Sequence, residues 1–284
     1  MSARWDRLVA NWLAARGSEH TKGAYRSDLD AYAKWCSAAS ITPLRSQGAD
    51  LDAYRDACLA AGASSATVAR RLSAIASFFR HAEQVGAVAA NPVHRVDRPS
   101  TDSGPRTPAL EAEELDSLLH AAEGLGAKAA ALVALLALDG IKLNEALAVD
   151  IPSVHLARGA TRASASSWLA VDRRGQQAQV PITHHSAQLV GTYLAARRHG
   201  PLFLGDSATG DHSTRLTRFG ADYLIKRAGA AADLPRSVSA NVLRRSYVDA
   251  ALRAGTALGD VTHHLGHRDA RQTARLVDGS LRRS

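Results

Sequence analysis

Four prolines lie within residues 87–108 (Pro92, Pro99, Pro105 and Pro108), mixed with Ser, Asp and Gly. A helix cannot cross such a segment. Helical periodicity runs on both sides of it, so two domains are expected, residues 1–90 and 109–284, joined by a linker over 91–108. At 284 residues the chain can bury most of its apolar surface without covalent staples. Its two cysteines, Cys36 and Cys58, exclude a disulfide framework and leave a single bridge open.

On the N-terminal side, Trp5, Leu8, Val9, Trp12 and Leu13 recur at helical spacing. Ser18 and Glu19 can start a second helix, with Tyr25, Leu29, Tyr32 and Trp35 on one face. Pro43 and Gly48 break the chain before a third helix marked by Leu51, Tyr54 and Cys58. Ser64 or Ser65 can cap a fourth, with Val68, Leu72, Ile75, Phe78 and Phe79 apolar and Arg70, Arg71 and Arg80 on the opposite face. On the C-terminal side, Glu111, Glu113 and Glu114 precede Leu115, Leu118 and Leu119, an acidic first turn. A buried helix follows through Leu132, Leu135, Leu136 and Leu138. Trp168–Val171 and Val180–Ile182 bracket Asp172-Arg173-Arg174-Gly175, the pattern of a hairpin whose tip exposes both arginines. Further helices are expected near 186–198, 215–231 and 241–254, with a helical tail over 261–277 interrupted at Gly266. The fold class is mainly α with a small β-sheet.

Charge narrows the partner. The net charge is +8, and 30 of the 35 basic residues are arginines. A polyanion such as nucleic acid accounts for this, as does a GC-rich codon usage. Distribution favours the former. Residues 1–100 carry net +4, residues 101–210 net −2 and residues 211–284 net +6. Two basic ends around a near-neutral middle suit a protein that grips duplex DNA from two sides. No apolar run is long enough to span a membrane, and the N-terminus has no apolar leader pattern, so a cytoplasmic, nucleoid-associated protein is expected.

Three segments carry a resemblance: Leu138-Asp-Gly-Ile-Lys-Leu-Asn-Glu-Ala-Leu147, Asn241-Val-Leu-Arg-Arg-Ser-Tyr247, and Leu265-Gly-His267 followed by a basic helix. In this order, with the hairpin between the first two, they resemble the tyrosine recombinase (phage integrase, Xer-like) family over nearly the whole chain. The resemblance implies an N-terminal helical core-binding (SAM-like) domain and a C-terminal domain of the catalytic type. In that family a tyrosine attacks a DNA phosphodiester, two arginines hold the phosphate oxygens, a hairpin lysine protonates the leaving oxygen, and histidine-type positions assist.

Carried over residue by residue, the resemblance puts Lys142 at the first arginine, which keeps charge but loses the planar fork. Glu145 matches a supporting glutamate. The hairpin lysine falls on Arg173, or on Arg174 in a turn one residue shorter, and arginine is a poor proton donor near neutrality. Asn241 replaces a histidine and cannot shuttle a proton. Arg244 and His267 keep the family residue. Leu276 occupies the nucleophile position, and no tyrosine follows Tyr247.

The expectation is therefore a degenerate member with no competent catalytic residue. It would bind double-stranded DNA through Lys142, Arg173, Arg174, Arg244, His267, Arg70, Arg71, Arg268 and Arg271, without a cofactor. Its role would be architectural, regulatory or that of a partner to an active recombinase, alone or as a homo-oligomer on DNA. The alternatives are an active recombinase using Tyr247 or Ser280 as nucleophile, and a transcription regulator reusing the fold. His263 and His267 have the i, i+4 spacing of a zinc site, but no third ligand is evident, and no metal is expected.

Overall fold

A computed structural model describes residues 3–16, 19–97, 107–157, 166–173, 175–205 and 214–277. Ser18, Arg174 and Ser280 lie outside them. The chain forms two compact units, Met1–Arg106 and Thr107–Ser284.

The first unit is built from α1 (Ala3–Ala14), α2 (Glu19–Ala38), α3 (Gly48–Ala60) and α4 (Ser65–Gln84). The caps follow from the sequence. Ser64 Oγ accepts from the Thr67 amide at the start of α4, and Gln47 with Asp50 forms a capping box on α3. The apolar faces meet in an aromatic core, with the Trp5 and Phe78 ring centroids 4.8 Å apart. Cys36 and Cys58 are both buried and free, so neither forms a bridge. Past α4 the chain makes a 3-10 turn at Pro92–Arg95, and Val93 and Val96 pack into the same core.

Two arginines of α4 turn back onto the bundle, while Arg80 is exposed. Arg70 ion-pairs with buried Asp28, and Arg71 donates to Cys58 Sγ at 3.4 Å. A carboxylate taken out of water needs a cation, and that requirement draws Arg70 back onto the bundle.

The second unit contains α5 (Ala112–Gly124), α6 (Ala127–Ala137), α7 (Leu143–Ala148), β1 (Val154–His155), β2 (Trp168–Asp172), β3 (Gln177–Pro181), α8 (His184–Leu194), α9 (Arg218–Ala231), α10 (Ala240–Arg253), α11 (Leu258–His264) and α12 (Ala270–Ala274). Helix α6 is apolar all round and accordingly buried, against α5, α8, α9 and α10. The sheet is antiparallel in the order β1-β2-β3, with Val154 opposite Leu169 and Leu169 opposite Val180. Leu169, Val171 and Val180 point into the core. The expected hairpin is present, and β1 adds a third strand that the sequence pattern did not indicate. The tail beyond Val261 is two short helices separated at Gly266, which adopts φ +63°.

Candidate functional site

The end of α6 sets the site. After Asp139 the chain reverses through Gly140 at φ +61°, and a Cβ there would run into the ring of Tyr247. Only glycine suits both conditions. The reversal aims two carbonyls at the C-terminal helices. Arg244 Nη1 donates to the Gly140 carbonyl (2.9 Å), and His264 Nε2 donates to the Asp139 carbonyl (2.7 Å). The Asp139 side chain is itself buried and accepts from the Thr183 amide at 2.6 Å. Burial pushes its pKa up to about 6.

Helix α7 then begins at the edge of a cavity of about 1060 Å³, lined among others by Lys142, Glu145, Arg173, His263, His264, His267 and Arg268. Lys142 is the N-cap of α7, and its backbone amide donates to Oε2 of Glu145, at the third helical position, at 3.2 Å. Glu145 is only 7% exposed, and it holds two cations. Lys142 Nζ lies 3.1 Å from its Oε1, and Arg173 approaches both of its oxygens, at 3.2 and 3.3 Å. Burial alone would raise the Glu145 pKa. Hydrogen bonding and charge from Arg173, then Lys142, outweigh it and hold the carboxyl below its usual value. Burial lowers the Lys142 ammonium, aided by the charges of Arg244 and Arg173 and opposed by Glu145.

Arg173 departs from expectation. The hairpin places it at the turn, yet its side chain is only 14% exposed. It folds inward onto Glu145 and donates to the His264 carbonyl at 2.8 Å. Gly266 makes this possible, since a Cβ there would meet Arg173 Cδ at 2.7 Å. A buried carboxylate again outweighs the exposure that a turn position suggests. Arg174 is outside the described residues.

Arg244 is buried on α10 and anchored three times: to the Gly140 carbonyl, to the Leu265 carbonyl (3.1 Å) and to His267 Nε2 (3.1 Å). Burial brings its pKa down to about 10, so it stays charged at neutral pH. Arg244 has only N–H donors, so Nε2 must be the acceptor and the His267 proton sits on Nδ1. Nδ1 lies 2.8 Å from Thr273 Oγ1, and Thr273 is 2.9 Å from Thr262 Oγ1. Burial and the neighbouring Arg244, Lys142 and Arg173 lower the His267 pKa to about 4. His267 is thus neutral at physiological pH.

The structure therefore brings together Lys142, Glu145, Arg173, Arg244 and His267, with Arg268 at the rim. Asn241 lies exposed on α10, one turn before Arg244, and Arg271 is exposed on α12. Arg70 and Arg71 belong to the other unit. Leu276 follows α12 and packs against the small apolar cluster of Val248, Val261 and Leu265; it does not line the cavity. Tyr247 is half-buried, its ring stacked on His264 at 5.2 Å, and burial raises its hydroxyl pKa. Three residues of the site escaped the sequence reading. His264, Thr273 and Asp139 act through contacts between α6, α11 and α12, and no spacing along the chain announces them. On α9, Phe219 (84% exposed) and Tyr223 (55% exposed) stand one turn apart among Arg218, Lys226 and Arg227. Among the described residues, no group of three or more His, Cys, Asp or Glu is placed to hold a metal ion, and no helix is long and apolar enough to cross a membrane.

Comparison with known proteins agrees with this architecture. Residues 7–86 match the model of the phage integrase N-terminal SAM-like domain, and residues 108–278 match that of the phage integrase family. The chain is 31% identical to the tyrosine recombinase XerC of Rhodospirillum centenum, over 97% of this chain and 81% of that protein. It is 27% identical to the tyrosine recombinase XerD of Pseudomonas aeruginosa, over 94% and 89%. The fold is shared with the Tn1549 transposon integrase in complex with circular intermediate DNA (TM-score 0.72, 16% identity, 96% and 94% of the two chains). It is likewise shared with a lambda integrase dimer bound to a COC′ core site (TM-score 0.71, 16% identity, 96% and 94%). With both domain models matched in order and the relatives aligned over almost the full chain, the protein belongs to the phage integrase family, that of the tyrosine recombinases.

Proposed function

We propose that this chain binds double-stranded DNA through its phosphates and does not cleave it, acting as an architectural, regulatory or partner subunit in recombination. One observation carries the reading. The cation cluster of Lys142, Arg173 and Arg244 is assembled around a single carboxylate, Glu145, while the position of the family nucleophile is an alkyl side chain packed into an apolar cluster. Cations in excess of their counter-charge, with Lys142 and Arg173 lining the cavity and Arg244 buried beside His267, favour a phosphodiester. Arg268 and Arg271 extend the positive surface from the cavity. The exposed Phe219 and Tyr223, set among cations, add a second surface of the aromatic and basic kind that nucleic acids favour. Arg70 contributes from the other unit, where it remains half-exposed beside Asp28. Lambda integrase crystallised as a dimer on its core site supports a homo-oligomer on DNA as the bound form.

Cleavage needs a nucleophile and a proton donor. An arginine is a poor proton donor, and Asn241 carries no titratable proton. Tyr247 is committed to packing between Gly140 and His264, which speaks against its use in attack. The binding half of the reading is tested by the salt dependence of duplex affinity. Phosphate contacts release counterions, so log affinity should fall linearly with log salt, with a slope of about −0.9 per contacted phosphate. A flat profile would remove the phosphate-binding reading.

A further inference from the structure

We infer that Phe219 is a specificity-determining residue that reads the C5-methyl group of a thymine in the major groove of the bound duplex. The inference rests on the DNA-binding reading above and adds a base to it. Helix α9 is held rigidly along one side, where Ala221, Leu224, Ile225 and Ala228 are buried and the helix packs on α5, α6 and α7. Its other side is open to solvent at Arg218, Phe219, Tyr223, Lys226 and Arg227. At 84%, Phe219 is the most exposed large apolar side chain among the described residues. With Tyr223 one turn on, it forms an apolar patch that contributes little to folding. Charge selects what covers this patch. Arg218, Lys226 and Arg227 stand around it against one carboxylate, Asp222, and Arg227 lies over the Tyr223 ring at 5.6 Å. That imbalance favours a polyanion over a neutral or basic protein surface.

The face is also continuous with the cavity. Ala148, at the end of α7, lines the cavity. Arg215, just before α9, donates to the Leu147 and Val149 carbonyls on either side of it, at 2.7 and 3.0 Å. A duplex with a phosphate at the cavity therefore brings a neighbouring groove to the start of α9. The major groove, about 12 Å wide, admits an α-helix, and the minor groove does not. Most of what a base edge offers there is a hydrogen-bond donor or acceptor. A phenyl ring can satisfy neither, and covering them strips their water without return. The thymine C5-methyl is the apolar feature of that groove, and contact with it returns free energy to the ring and the methyl alike. The cations around Phe219 take the phosphates, which carry no sequence information, so residue 219 supplies a base preference that they cannot.

The experiment selects duplexes from a random-sequence library with the full chain, then replaces each thymine of a bound duplex in turn by deoxyuridine. This removes the methyl group and keeps the base pairing. Wild-type affinity should fall about fourfold at one thymine position, the effect of uncovering one methyl group. Phe219→Ala should bind the thymine duplex about fourfold more weakly than wild type and show no difference between thymine and uracil at that position. Phe219→Leu, which keeps an apolar contact, should retain part of the difference. The exposure of residue 219 means that both variants fold as the wild type does. If no deoxyuridine substitution lowers wild-type affinity, or if the thymine preference survives in Phe219→Ala, the inference is overturned, and salt-dependent binding leaves the phosphate reading standing. No binding at low salt sinks both. A DNA-free dimer in sedimentation that Phe219→Ala dissociates would assign this face to a second copy of the chain and overturn the inference as well.

Discussion

Two parts of the C-terminal unit lie side by side and have opposite character. Around the cavity, Lys142, Glu145, Arg173, Arg244 and His267 form a connected polar cluster in which the cations outnumber the carboxylate. Behind α12, Leu276 joins Val248, Val261 and Leu265 in a small apolar core. In the first region the buried charges are hydrogen-bonded to one another and to backbone carbonyls. The second packs Leu276, which the proposed reading puts at the position of the family's tyrosine, into an apolar cluster. On the proposed function, the difference teaches that holding DNA and cutting it would be separable here, since the residues that would serve each are set by different local physics. One depends on paired charges around a cleft, the other on apolar burial.

Substitutions can break that comparison, and the largest effect should come from Arg244. Arg244→Ala removes a buried cation and leaves the Gly140 and Leu265 carbonyls without their donor. Duplex affinity should fall by about a hundredfold, in the range for truncating one partner of a buried charged contact. The melting temperature should fall with it. Affinity equal to wild type in a folded Arg244→Ala protein would contradict the placement of the anion site.

Glu145→Gln should separate stability from binding. Losing the carboxylate strands Arg173 in a buried setting, for a stability loss of about 3 kcal/mol, the lower end of the range for a broken buried pair because Lys142 is 40% exposed. The freed cations should bind DNA more tightly, by severalfold in a filter or anisotropy assay. A loss of affinity would mean that Glu145 holds the cations in their working positions.

Asp139 gives a pH signature. Its pKa rises from 3.8 to about 6 on folding, so the folded state favours the protonated form. Stability from this group is present at low pH and is lost as pH rises through about 6. Asp139→Asn should therefore raise the melting temperature above that pH, by up to about 3 kcal/mol of stability, and the gain should disappear in acid. A gain that persists in acid would point to a different cause.

The smallest effect is predicted for Leu276. Leu276→Ala should cost about 1 kcal/mol, little for a leucine because the side chain is only partly buried, and leave DNA affinity within about twofold. Leu276→Tyr should form no covalent adduct, because residue 276 packs against the apolar cluster and not along the cavity. An adduct in that variant would show that the two regions are closer in function than their packing suggests.

Much of the architecture was legible because helical spacing and capping are local. Trp5 to Leu13, Ser64 before α4 and the acidic start of α5 all act within a turn or two of chain. The hairpin was legible for the same reason. Strand β1 was not, since two residues carry no periodicity and Val154 is defined by its pairing with Leu169. The site was legible where a motif held it, as at Arg244 and His267. Arg173 was misplaced at an exposed tip because its position depends on Glu145, 28 residues earlier, and on the gap left by Gly266. Thr273 escaped notice because its contact with His267 Nδ1 joins α12 to the turn before it, and threonine carries no motif there.

The central claim is that the polar cavity holds DNA while no side chain attacks it. The most direct measurement selects duplexes that the protein binds from a random-sequence library, nicks them to trap any cleavage intermediate, and resolves one incubation on native and denaturing gels. The account predicts a retarded complex on the native gel and free protein with intact DNA strands on the denaturing gel. A covalent protein–DNA band on the denaturing gel, mapped to Tyr247, Ser280 or any other side chain, would contradict it.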